Sequence, residues 1–314
     1  MHQQKPHQQK PRLAAYALSL SLLIAFGTGG GSAGATDPIY VGWSHLLPPW
    51  TNEFNPDSQN ACRAGRLTCV KQVIKKMDRR FIPLAENCHH NAVFSLAYLR
   101  TTEEYARTAA QPGAFDDTAF VNHEDAVFAE FYFQAYDAWA EGRKRAVPAA
   151  WQIAFRAAQN RTVAGTGNLF LGMNAHVNRD LPFVLAGLGL VAADGSSRKP
   201  DHDRINEMLN RVVDPLLAEE SARFDPTMDD IRSPYGISYT AMLQVLVGWR
   251  EDAWRNAERL VAAEDAQSRA LVAQDIEDYA AVTARSLVAR YQYNPPITSS
   301  AERDAYCASQ AGSP

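Results

Sequence analysis

His176 and Asp180 stand four residues apart in the segment Leu171-Gly172-Met173-Asn174-Ala175-His176-Val177-Asn178-Arg179-Asp180-Leu181-Pro182. On a helix that spacing puts both side chains on one face. Their neighbours on the face are Leu169, Gly172, Met173, Phe183 and Val184. An imidazole and a carboxylate in such surroundings need partners inside the protein, because burying them unpaired is costly. Two readings fit the pair. H-x-x-x-D is a workable two-ligand spacing for a divalent metal, with zinc favoured. Equally, Asp180 can hold His176 in an internal hydrogen bond. Asn174 and Asn178, also i and i+4, add a second polar row. Pro182 has no N–H and crowds the carbonyl of Asn178, so a kink is expected beside the pair.

Other groups could converge on the same place. Asp125 opens the apolar stripe Phe128, Tyr132 and Trp139, with His123 and Glu124 beside it. The plainer reading of these acids is a favourable first turn of a helix. His90 shares a face with Val93, Phe94 and Ala97 and is preferred to His89. Glu86 and His89 have the E-x-x-H spacing of di-iron bundles, but Cys88 and an expected break after Pro83 weaken that idea. Asp201-His202-Asp203 reads best as an N-cap cluster.

Taken as a metal centre, the set is His90, Asp125, His176 and Asp180 as ligands. The metal would activate a bound water, Glu124 would act as base, and Asn174 and Asn178 would orient the substrate. That describes a hydrolase of phosphoester or other ester substrates, the substrate being a small molecule or lipid. The rival is a non-catalytic helical binding protein in which the same residues form a buried hydrogen-bond network. A metal-free acid–base enzyme is a third possibility. The chain has no G-x-S-x-G, no P-loop and no H-E-x-x-H.

The elements that must position these residues read as helices. Val70, Val73, Ile74 and Met77 recur at amphipathic spacing from Leu67, and Pro83 is expected to end that helix. Residues 91–102 are apolar almost all round, which marks a central helix. A third helix is expected over 122–141 with Asn122 as N-cap. Pro148 opens a fourth. Residues 166–192 are a long apolar segment, and Pro215 is expected to kink or split a helix starting near Asp203. Two more helices are expected over about 237–264 and about 267–291, with an extended tail from Pro295. No alternating β-branched run and no internal repeat is present. The fold class is therefore all-α: a multi-helix bundle with an irregular N-terminal arm over 36–66 containing Pro38, Pro48, Pro49, Trp43 and Trp50.

Thirty-one bases against 35 acids give a formal charge of −4, without the basic field of a nucleic-acid binder. The first 35 residues look like a secretory signal peptide: Lys5, Lys10 and Arg12, an apolar run from Leu13 to Phe26, then Ala33-Gly34-Ala35. Cleavage near Ala35 would leave a secreted or periplasmic single helical domain over 36–314, with no later run long enough to span a membrane. All four cysteines lie beyond that point, and an even count in an exported chain favours disulfides. Of three connectivities, Cys62–Cys69 with Cys88–Cys307 is preferred over the others and over free thiols.

Three blocks together resemble the domain-of-unknown-function family numbered 5995: Cys88-His89-His90-Asn91-Ala92-Val93-Phe94 with Tyr98-Leu99-Arg100-Thr101-Thr102-Glu103; Phe128-Ala129-Glu130-Phe131-Tyr132-Phe133; and Gly172 to Pro182. The resemblance implies a helical fold and carries no catalytic residue. A looser likeness is to the zinc-dependent phospholipase C and P1 nuclease superfamily, exported all-α enzymes with an H-x-x-x-D pair. This chain lacks their second H-x-x-x-E pair and has fewer histidines.

Overall fold

A computed structural model describes residues 54–229 and 237–310. Ten α-helices lie there: α1 (Leu67–Glu86), α2 (Ala92–Ala109), α3 (Thr118–Ala140), α4 (Ala149–Gln159), α5 (Gly165–Met173), α6 (Leu181–Leu188), α7 (Lys199–Arg223), α8 (Ile237–Ala262), α9 (Ala266–Tyr291) and α10 (Ala301–Gln310). Among the described residues β-pairing is limited to two isolated bridges, Val163 with Gln292 and Val191 with Ser197. The all-α expectation holds. The expected leader, and Trp43 and Trp50 of the arm, lie outside the described residues.

α1 buries Val70, Val73, Met77, Phe81 and Leu84 along one face. Pro83 does not end it. The proline costs one backbone bond a turn from the terminus, and the helix continues to Glu86 while the Asn87 side chain donates to the Pro83 carbonyl. α2 is buried on every side from Ala92 to Leu99, as a central helix must be. It lies antiparallel to α7, held by ion pairs of Arg100 with Glu219 and of Arg211 with Glu104.

α3 starts a turn earlier than expected. Asp117 is its cap and accepts from the Phe120 N–H. Asn122 instead accepts from the Tyr105 hydroxyl and donates to the Gly65 carbonyl. Gly65 has φ +62°, and a Cβ there would overlap the carbonyl of Ala119. The shift places Glu124 and Asp125 inside the helix body rather than in its first turn. α7 begins at Lys199 and runs unbroken through Pro215. Asp201 does not cap it; both carboxylate oxygens accept from the N–H groups of Asp116 and Asp117, tying the start of α7 to the start of α3.

The tail from Pro295 is not extended throughout. Residues 301–310 form α10, fastened by the Cys88–Cys307 disulfide; Cys62–Cys69 closes the second pair. Both preferred pairings are present. Among the described residues no helix is long and apolar enough to cross a membrane.

Candidate active site

The segment between α5 and α6, Asn174–Asp180, is π-helical. Pro182 sits at the start of α6, where a missing N–H is tolerated. The departure from α-geometry therefore lies upstream of the proline rather than at it. π-Turns are uncommon and gather at functional sites, and this one carries both His176 and Asp180.

All seven residues of the π-turn are buried, Asp180 fully and His176 at 3% exposure. Asp180 is held by three donors. Trp151 Nε1–H gives a bond of 2.8 Å and His176 Nδ1–H one of 3.1 Å, both to Oδ2. Arg179 donates to Oδ1 at 2.9 Å and also binds Glu277. With Trp151 and Arg179 able only to donate, Asp180 acts as acceptor and fixes the proton of the imidazole on Nδ1. Nε2 then carries the lone pair. It is buried and bonds no protein atom.

His176 lines a cavity of about 150 Å³ bounded by α2, α3, α5, the π-turn, the start of α6, α7 and α8. Most of the lining is apolar. The polar groups on it include Tyr98, Glu124, Asp125, Tyr105 and Arg250. The Asp125 Oδ2 and the Tyr98 hydroxyl are, like Nε2, buried without a protein partner. Three unsatisfied polar groups around one cavity are a ligand-binding signature, since such groups are normally paired.

Burial sets their protonation. It lowers the His176 pKa, opposed by the bond to Asp180, so the ring is neutral near pH 7. Burial, with Glu124 next to it, pushes the Asp125 carboxyl up to about 8. Burial pushes Glu124 up to about 7 against the pull of Arg250 and Arg198. The Tyr98 phenol is held well above its ordinary value by burial and by Asp125 and Asp180. The cavity thus holds a neutral base beside Asp125, an acid that at about 8 keeps its proton near pH 7, the separation of pKa values that acid–base catalysis needs.

Of the residues the sequence singled out, the fold brings together His176, Asp180, Asp125 and Glu124. It does not bring His90 to them. His90 Nε2–H donates to Asp304 at 2.9 Å and Nδ1 accepts from Arg303 at 2.7 Å, beside a separate small pocket. Burial and Arg303 lower its pKa to about 4. Asn174 and Asn178 are absent from the cavity wall. Asn174 donates to the Ala280 carbonyl of α9, and Asn178 donates to Asn174, pinning the π-turn to its neighbour. Among the described residues no three His, Cys, Asp or Glu side chains gather as a metal-binding group.

A family model described as a family of unknown function, DUF5995, matches residues 70–290. The chain belongs to this family. No curated protein and no solved structure matches it. The looser likeness to the zinc-dependent phospholipase C and P1 nuclease superfamily therefore gains no support. The span matched to the family contains the whole cavity wall, from Phe94 to Arg250. Cys62, Cys69 and α10, with Arg303 and Asp304, lie outside it.

Sequence reasoning missed Tyr98, Arg250 and Trp151. Tyr98 sits in a helix apolar all round, where a phenol hydroxyl must either find a partner or face a cavity. Arg250 falls on the stripe Met242, Leu246 and Trp249, and a lone cation on an apolar face was the available signal. Trp151 offered none, because it reaches the site from another helix, its indole N–H on Asp180 and its ring 5.9 Å from His176.

Proposed function

We propose that the protein is a metal-free acid–base hydrolase of neutral, largely apolar carboxylic esters. His176 is the general base, positioned by Asp180. Its Nε2 takes a proton from water as the water oxygen bonds to the ester carbonyl carbon. The Tyr98 hydroxyl is placed to donate to the developing oxyanion. Protonated Asp125 delivers a proton to the leaving alkoxide as the carbon–oxygen bond breaks, giving an acid and an alcohol. Exchange with solvent returns the proton from His176 and reprotonates Asp125. The observation that carries this reading is the convergence of three buried, unpartnered polar groups of opposite proton roles on one apolar cavity. A phosphoester suits the wall less well. Most of the wall is apolar, and Arg250 is already engaged by Asn206 and the His202 carbonyl.

The test is hydrolysis of p-nitrophenyl acyl esters by the purified protein across pH 5–9, with and without chelator. The expected rate is bell-shaped in pH, with an acid limb below the ordinary histidine value and an alkaline limb near the Asp125 value of about 8. Chelator should leave it unchanged. His176→Ala and Asp125→Asn should each lower kcat by roughly 10²–10⁴-fold. Ligand binding without turnover would instead favour a carrier. Activity lost in chelator and restored by zinc would favour a metal centre.

A further inference from the structure

The shape of the cavity specifies more than its chemistry. Its wall takes Ile205, Met208, Leu209, Val212, Val213 and Leu216 from α7, and residues from Phe94 to Tyr105 from α2. Each set spans twelve residues, or ~16 Å of helix from first to last. A volume of about 150 Å³ drawn out over such a length is a bore about one chain wide. Apolar cavities of similar total volume take up a molecule of about benzene's bulk, so little room remains for a fused ring.

The bore is also polarised. Tyr98 and His176 lie toward the Phe94 end of it, with ring centroids 6.0 and 6.1 Å from the Phe94 ring. On one side the wall is Phe94, Leu169, Val212, Leu216 and Met242, all belonging to one hydrophobic cluster. On the other, Tyr105, Met208 and Leu209 are joined by Glu124 and Arg250. The antiparallel pairing of α2 with α7 sets this order, since Arg100 meets Glu219 while Glu104 meets Arg211.

We propose that the ligand is a single unbranched alkyl or acyl chain lying along the bore, with its neutral polar group at Tyr98, Asp125 and His176. This rests on the ester-hydrolase reading for the role of the polar group, but not for the fit of the chain. Fused rings are excluded by the narrow bore. Recognition of the tail comes from methylene burial, since the Thr101 and Thr102 hydroxyls on the wall already donate to the Ala97 and Tyr98 carbonyls.

The probes are straight-chain primary alcohols from butanol to dodecanol, with decalinol as a fused-ring comparator of the same carbon number as decanol. Binding is read by calorimetry on the full chain, wild type and His176→Ala. Affinity should rise roughly fourfold per methylene until the tail fills the bore, and decalinol should not bind. Val212→Phe and Val213→Phe, checked for helical circular dichroism, should move the break to shorter chains. Length-dependent binding with no ester turnover would uphold the chain and sink the hydrolase. Decalinol binding as tightly as decanol, or affinity independent of length, would overturn the proposal even if esters are hydrolysed.

Discussion

The imidazole of His176 lies flat on the ring of Phe128, with centroids 3.5 Å apart and planes within 4°. Tyr98 meets it edge-on at 4.5 Å, and Phe94 and Tyr132 complete an aromatic collar. An imidazolium would find a favourable ring face there, yet desolvation outweighs it and the pKa is lowered. The collar fixes the ring plane while Asp180 fixes its proton, so Nε2 is aimed without any mobile part.

Replacing Phe128 with alanine removes one wall of that collar and admits water. The His176 pKa should climb back toward 6.5, carrying the acid limb of the rate profile upward with it. Truncation of a large aromatic from a packed site costs about 3 kcal/mol. Two-dimensional NMR of the imidazole nitrogens reads the pKa directly. An unchanged titration would mean that burial by Phe128 does not set it.

Stability should depend on pH through the same groups. Asp125 and Glu124, raised to about 8 and about 7, keep protons in the folded state that an unfolded carboxyl releases near pH 4. Between those limits the folded state binds more protons, so stability falls as pH rises. The buried His90 and His176, lowered by burial, act oppositely and add stability as pH rises toward 6.5. Above pH 6.5 only the acids contribute a slope. The melting temperature should therefore decline from pH 6.5 to 8.5, and Asp125→Asn should flatten much of that decline. Glu220, also raised by burial, leaves a remainder. A wild-type slope matched by the variant would show that Asp125 is already ionised.

Helix content was legible because burial and periodicity agree: Val70, Val73 and Met77 in α1 face the core at the spacing that announced them. Boundaries were less so. Asn122 looked like a cap, but Asp117 supplied one earlier and Asn122 was drawn into a tertiary bond with Tyr105. Pro83 and Pro215 break helices on local grounds, yet packing on both sides of each carries the helix through. At the site, the His176–Asp180 pair was visible from spacing. The donor Trp151 that helps decide its chemistry was not, because it comes from another helix and no pattern within one segment encodes it.

The C-terminal helix should be a removable brace. Cys88–Cys307 closes a loop of 219 residues, and α10 delivers Arg303 and Asp304 to His90. Chain-entropy reasoning gives such a loop roughly 5 kcal/mol at most. Cys307→Ser should lower the melting temperature by several degrees and raise the His90 pKa from about 4, since both Arg303 and burial depress it. The cavity, walled by α2, α3, α5, the π-turn, the start of α6, α7 and α8, should keep its alcohol affinity. Lost affinity would show that α10 braces the cavity as well as the His90 network.

Asp180 and His176 should separate structure from chemistry. Asp180 satisfies Trp151, Arg179 and His176 at once, whereas an asparagine offers one oxygen and turns two N–H donors toward groups that also donate. Asp180→Asn should thus cost about 3 kcal/mol, because a buried cation and an indole N–H are left short of an acceptor. It should also release the imidazole tautomer, lowering kcat more than KM rises. His176→Gln leaves the bonds from Trp151 and Arg179 to Asp180 intact, so it should be the more stable variant while being at least as inactive. Melting curves with and without chelator complete the comparison. Wild type and both variants should melt at temperatures indifferent to chelator if the pair is a base and its orienting acid. A wild-type melting point that drops in chelator, with that sensitivity gone from both variants, would instead assign the pair to a metal, because only a ligand bound to the native state links the two.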